Sequence, residues 1–145
     1  MAQPIKFRGK VKHDGRWVYG SLLVYGDGEH NIFAPRQHNY KLDSWNVFPE
    51  TVGQSTGLVD KNGKEIYEGD IIKLVEFPDA PIYEVKWSNE SLAFCVESLP
   101  YAPAYNDWGT PVGSNLLWAL ENASDIEIIG NLYDNPELLK GGKSC

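Results

Sequence analysis

Apolar and charged positions alternate strictly over residues 5–11: Ile5, Phe7, Gly9 and Val11 fall on one face of an extended chain, Lys6, Arg8, Lys10 and Lys12 on the other. Period-two alternation predicts a half-buried strand with a basic outer face. His13-Asp14-Gly15 predicts a turn, and residues 16–25 a second strand rich in aromatic and branched side chains. Gly20 inside it predicts a bulge or a close backbone approach. Gly26-Asp27-Gly28 turns the chain towards a third short strand at residues 30–33. Over residues 34–49 the alternation lapses, which predicts a long ordered loop.

The strongest local signal follows. Asp60-Lys61-Asn62-Gly63 has the chemistry of a hairpin turn: Asp accepts from turn amides, Asn tolerates an unusual backbone angle and Gly supplies positive φ. Tyr67-Glu68-Gly69-Asp70 predicts a second turn, leading into a strand over residues 71–77. Residues 82–87 and 92–96 predict two more strands of an antiparallel meander. Residues 100–113 hold three prolines with Tyr101, Tyr105 and Trp108, and predict an irregular loop. Residues 115–122 fit a short helix, although periodicity does not settle so brief a run. Residues 126–133 predict a closing strand, and Asn135-Pro136 an N-cap with proline at the first position of a helical turn. No repeat or linker divides the chain, so a single domain over residues 1–140 with a flexible tail at 141–145 is expected.

Composition supports this picture. In 145 residues, 42% are apolar and 23% charged, an ordinary globular balance, and 14 Gly with 9 Pro favour turns and strands. The net charge of −7 argues against indiscriminate coating of nucleic acid. That charge is unevenly spread. Residues 1–73 carry 10 Lys+Arg and 9 Asp+Glu, whereas residues 74–145 carry 3 against 11. The first ten residues have no apolar core of signal-peptide length, and no run approaches the roughly 20 apolar residues of a membrane-spanning helix. With only Cys95 and Cys145 there is no disulfide framework, and a cytoplasmic protein without membrane attachment is expected.

Candidate chemistry is sparse. Glu50, Asp60, Glu65, Glu68 and Asp70 cluster in sequence, and turn chemistry accounts for them: Asp60 and Asp70 bond turn amides, while Glu65 and Glu68 are solvated. His13, His30 and His38 lack metal-ligand spacing. Cys95 lies in an apolar stretch, where a thiol acts as a small buried hydrophobe. No nucleophile elbow or phosphate loop occurs. No catalytic residue, metal or cofactor is therefore expected. Lys6, Arg8, Lys10 and Lys12 with Arg16 form a row of like charge that an anionic partner would relieve. That partner is either a phosphate backbone or the acidic half of another copy. The same row would also serve as a solvated guard on an edge strand. Tyr40, Trp45, Tyr101, Tyr105 and Trp108 fall in the two loops and are candidate contact anchors. Trp17 and Trp87 fall in strands and are expected in the core.

Three blocks carry a family likeness. Ile5-Lys6-Phe7-Arg8-Gly9 with Trp17-Val18-Tyr19-Gly20-Ser21-Leu22-Leu23 resembles the N-terminal signature of the YopX-like proteins of phages and prophages. Residues 51–58 through Asp60-Lys61-Asn62-Gly63-Lys64-Glu65-Ile66-Tyr67-Glu68-Gly69-Asp70-Ile71-Ile72 resemble the family's central motif. Residues 126–133 with Asn135-Pro136-Glu137-Leu138-Leu139 are similar to its ending. The resemblance implies a mainly β fold: an SH3-like β-barrel core with antiparallel hairpins, long irregular loops and one or two short helical turns. It also implies homo-oligomers, and no known activity. The leading expectation is a phage or prophage accessory protein, a self-associating, non-enzymatic β-barrel module that binds a host or phage macromolecule, in the first instance a protein. The alternative is a nucleic-acid-binding β-barrel using the basic strand of Lys6 to Lys12. An enzymatic reading would need a pocket joining carboxylates such as Glu50 and Asp70.

Overall fold

In a computed structural model of the chain, the structure describes residues 5–35, 41–74, 82–89, 92–99 and 126–140. The chain divides into two compact units, Met1–Gly57 and Leu58–Cys145. The described residues are mainly β, in antiparallel sheets.

The first unit contains β1 (Phe7–Lys10), β2 (Trp17–Val24), β3 (His30–Pro35), β4 (Leu42–Val47) and the start of β5 (Gly53–Val59). Their hydrogen-bonded order is β4-β3-β2-β1-β5. The His13-Asp14-Gly15 turn sets the register of the first hairpin, pairing Lys10 with Trp17, Arg8 with Tyr19 and Phe7 with Gly20. Successive residues of β2 point to opposite faces, so Val18 and Leu22 join Phe7, Val11, Ile32, Trp45, Val47 and Val52 in the core. Gly20 marks the point where β2 changes partner, from Phe7 on β1 to Phe33 on β3 through its neighbour Ser21. A Cβ at Gly20 would stand 2.1 Å from the Phe33 carbonyl oxygen. The close backbone approach read from the sequence is present.

Within the expected loop over residues 34–49, Leu42–Val47 instead form β4, which pairs along its whole length with β3. Leu42-Asp43-Ser44-Trp45-Asn46-Val47 mixes small polar and apolar side chains, and its pairing with β3 overrides weak local preference. The second edge of β1 is shared. Arg8 pairs with Gly53 of β5. Further along, the Lys10 amide donates to Thr51 Oγ1 at 2.9 Å, the Phe48 amide to Lys10 O at 2.9 Å and the Lys12 amide to Asn46 O at 3.0 Å. A single bridge joins Val11 to Val47. Among the described residues this is one contact and not a continuous ladder, and no closed barrel forms.

The second unit opens on a hairpin between the last residues of β5 and β6 (Glu65–Tyr67), followed by β7 (Asp70–Leu74), β8 (Ile82–Ser88), β9 (Ala93–Leu99) and β10 (Ile126–Asn131). The last four form a sheet in the order β10-β7-β8-β9. Ile66, Ile72, Val85, Val96 and Ile126 make its core, with Leu58, Tyr83 and Ile128 packed against them. A short 3-10 turn, Pro136–Lys140, follows the predicted Asn135-Pro136 start. The Asn135 side chain sits so close to Gly130 that a Cβ there would lie 2.5 Å from Asn135 Oδ1. Among the described residues, no helix is long and apolar enough to cross a membrane.

Candidate interaction surface

The register of the first unit divides its sheet into an inner face, which is the core, and an outer face. Positions 19, 21 and 23 of β2, 31, 33 and 35 of β3 and 42, 44 and 46 of β4 share that outer face with positions 8 and 10 of β1. It carries several large apolar side chains among the polar Ser21, Asn31, Ser44 and Asn46. Tyr19 is 46% exposed, Leu23 47% and Leu42 60%, and half-buried Phe33 lies on the same face. Exposed large apolar side chains on one sheet face suit a contact site. Leu23, Tyr19 and Leu42 were absent from the sequence-based candidates. The signal that would have found Tyr19 and Leu23 was the tight turn at residues 13–15, because a fixed turn fixes which β2 positions share the face of Arg8 and Lys10, whereas Leu42 is placed only by the pairing of β4 with β3.

The basic strand is less uniform than its alternation predicts. Lys6 and Lys12 are exposed. Arg8 is only 4% exposed, its Cζ 4.6 Å from the centre of the Trp17 ring, and Lys10 Nζ lies 5.6 Å from the same ring. Trp17, expected in the core, is thus a half-buried member of the outer face, holding two cations against its π-system. Arg16 lies 5.5 Å from the Trp45 ring and pairs with Asp14 at 3.1 Å. Trp45 therefore belongs to a strand, packed on the core, and not to a loop. Trp87, also expected inside, is 41% exposed and meets Phe94 edge-on at 5.2 Å. Tyr40, Tyr101, Tyr105 and Trp108 lie outside the described residues, as does Cys145.

The carboxylates of the second unit have structural partners. Asp60 Oδ1 accepts from the amides of Asn62 and Lys64, both at 2.9 Å, and Oδ2 from the amide of Ile128 at 3.1 Å. Burial alone would raise its pKa. The three amide donors and the Lys64 charge outweigh burial and hold it below the ordinary value. Asp70 Oδ2 accepts from the Tyr67 amide at 2.8 Å. On β8 and β9 the register sets Glu84 opposite Glu97, and Lys86 Nζ bonds Glu97 Oε2 at 2.6 Å. Burial raises the Glu84 pKa, with Glu97 and Glu68 adding to it and Lys86 opposing. Burial also pushes the Cys95 thiol up, away from the thiolate that nucleophilic chemistry needs. Among the described residues, no group of three or more His, Cys, Asp or Glu is placed to hold a metal ion.

Comparison with known proteins agrees with this architecture. The family model described as YopX protein matches residues 6–140. The crystal structure of protein EF1440 from Enterococcus faecalis is similar in fold, with a TM-score of 0.55 at 23% identity over 95% of this chain and 99% of that one. No curated protein matches the chain.

Proposed function

The chain belongs to the YopX protein family, and from that premise we propose that it is a non-enzymatic interaction module that self-associates and binds a host or phage macromolecule. The observation that carries this reading is the outer face of the first unit, where Tyr19, Leu23 and Leu42 are each more than two-fifths exposed and Tyr19 stands beside Arg8 of β1. An apolar patch edged by charge suits a protein contact better than a reaction. Asp60 and Asp70 accept from backbone amides and burial pushes the Cys95 thiol up, which favours structural roles for these three groups. The resemblance to phage and prophage proteins supports an accessory role in the cytoplasm of a bacterial host. The family match crosses both compact units, which supports one domain over residues 1–140. The Val11–Val47 bridge, which draws the end of β4 towards the end of β1, supports an SH3-like curl in the first unit.

Light scattering at low and high salt tests self-association. A mass that is a multiple of 16.3 kDa is expected. Persistence at high salt assigns the contact to the apolar positions, and loss at high salt assigns it to charge. A monomer at both salt concentrations would contradict the reading.

A further inference from the structure

The first sheet ends at β4, and the first half of that edge is open. We propose that this edge takes up an extended peptide segment of a protein partner, which adds to the sheet as one more strand. The inference rests on the reading of the chain as an interaction module, and it names the form of the partner.

The opening follows from the turn at residues 13–15. Strands β1 and β4 meet only at their ends. There the Lys12 amide donates to Asn46 O at 3.0 Å, the Phe48 amide to Lys10 O at 2.9 Å, and Val11 bridges Val47. Continued along the same line, β1 would next cover Trp45 and Ser44. Instead the chain reverses, with the Gly15 amide donating to Val11 O at 2.8 Å and the Val11 amide to Arg16 O at 2.9 Å. The turn takes away the strand that would have finished β4.

The ladder shows what remains. In an antiparallel strand the amide and carbonyl of one residue point the same way, and successive residues alternate between the two sides. Asn46 and Phe48 point away from β3, towards β1. The unbroken register of β4 with β3 therefore turns the amides and carbonyls of Leu42 and Ser44 to that same side. Among the described residues nothing bonds to these groups on that side. Edge groups of this kind are what an added strand completes.

The side chains along the edge suit such a strand. Leu42, at 60%, is the most exposed large apolar side chain in the described strands, and an added strand would cover it. Ser44 is small and exposed, and half-buried Trp45 offers an apolar ring on the opposite face. No proline or basic residue within Leu42-Asp43-Ser44-Trp45-Asn46-Val47 guards the edge. A second copy is the poorer occupant. The antiparallel register that uses Leu42 and Ser44 of both copies pairs one with the other and sets the two Asp43 residues opposite each other, like charge against like. A segment with a neutral or basic residue at that position meets no such penalty.

The test is an NMR titration of the isotope-labelled full chain with a capped peptide of about nine residues that alternates valine with lysine and threonine. Saturable binding with a Kd below about 1 mM is expected, with shifts and slowed amide exchange centred on Leu42 and Ser44. N-methylation of the peptide amides that face β4 should weaken binding about fivefold or more, the loss of a main-chain bond. Ser44→Pro removes the outward N–H and no bond to β3, so the variant should fold and bind about fivefold more weakly. Should it fail to fold, the N-methylated peptide, which leaves the protein untouched, still decides. Absence of saturation up to about 5 mM would overturn the proposal. Shifts centred elsewhere, or equal binding of the N-methylated and parent peptides, would also overturn it. Light scattering on the same samples completes the test. An assembly dispersed by Ser44→Pro would assign the edge to a second copy and overturn the peptide partner. Protein that self-associates yet takes up no peptide leaves the proposed function standing and removes only this inference.

Discussion

In the first unit the cations Arg8, Lys10 and Arg16 lie against indole rings, whereas in the second the carboxylates of Asp60 and Asp70 are taken up by backbone amides. The two arrangements leave different residual chemistry. A carboxylate that accepts from three amides has most of its acceptor capacity used by the fold. A cation over a ring is positioned by the π-face. Asp60 and Asp70 thus serve to build turns, while in the first unit Arg8 is buried against Trp17 and Lys6, Lys12 and Arg16 remain exposed. The sequence-wide figure of −7 averages these two uses.

Breaking the structural side of that contrast should have the largest effect. Asp60→Ala removes the acceptor for the amides of Asn62, Lys64 and Ile128 at a site only 6% exposed. A loss of about 4 kcal/mol is expected in urea denaturation, since each charge-assisted bond contributes roughly 1.5 kcal/mol or more. In the first unit the backbones of β2 and β3 approach closely at Gly20. Gly20→Ala drives a Cβ to within 2.1 Å of the Phe33 carbonyl, a backbone atom that cannot swing aside. About 3 kcal/mol of stability should be lost, read as a lowered urea midpoint.

A pH series sharpens the comparison within the second unit. The folded pKa of Asp60 is lowered from 3.8, so its stabilisation is present above that value and is lost as pH falls through the folded pKa. Glu84 has the opposite sign. Its pKa is raised from 4.5, so its contribution is complete below 4.5 and is lost as pH rises through the higher folded value. Glu84→Gln should therefore be neutral or stabilising at pH 7, by no more than about 1 kcal/mol, and should flatten the loss of stability between acid and neutral pH. A variant that is less stable at neutral pH would show that the Glu84 charge is needed where it stands. The smallest effect belongs to the outer face. Tyr19→Ala and Leu42→Ser should change monomer stability by less than about 0.5 kcal/mol in urea denaturation, because neither side chain supports the core.

The turn chemistry of the second unit was legible because it is local. Asp60, Asn62, Gly63 and Asp70 each act within four residues of themselves, and Gly63 takes the positive φ of +80° that its place in the turn demands. The Asp60 bond to Ile128, 68 positions away, was not legible, because nothing local announces it. Strand β4 was missed for a related reason: Ser44 and Asn46 face outward among apolar neighbours, and only its partner β3 makes it a strand. The basic row was read in full, but not its environment. Its place in a strand suggested that Trp17 was core, whereas the register of the first hairpin puts it opposite Lys10 on the outer face. The family likeness was legible from three ordered blocks, and the match over residues 6–140 agrees with it.

The most direct test of the outer face as a contact surface is light scattering of the wild type beside a Leu23→Glu/Leu42→Glu double variant. Both positions are exposed, at 47% and 60%, so the fold should tolerate the exchange while an apolar contact should not. The expected result is a wild-type mass that is a multiple of 16.3 kDa and a variant mass of 16.3 kDa with unchanged circular dichroism. An assembly of the same size in both proteins, or a monomeric wild type, would contradict it.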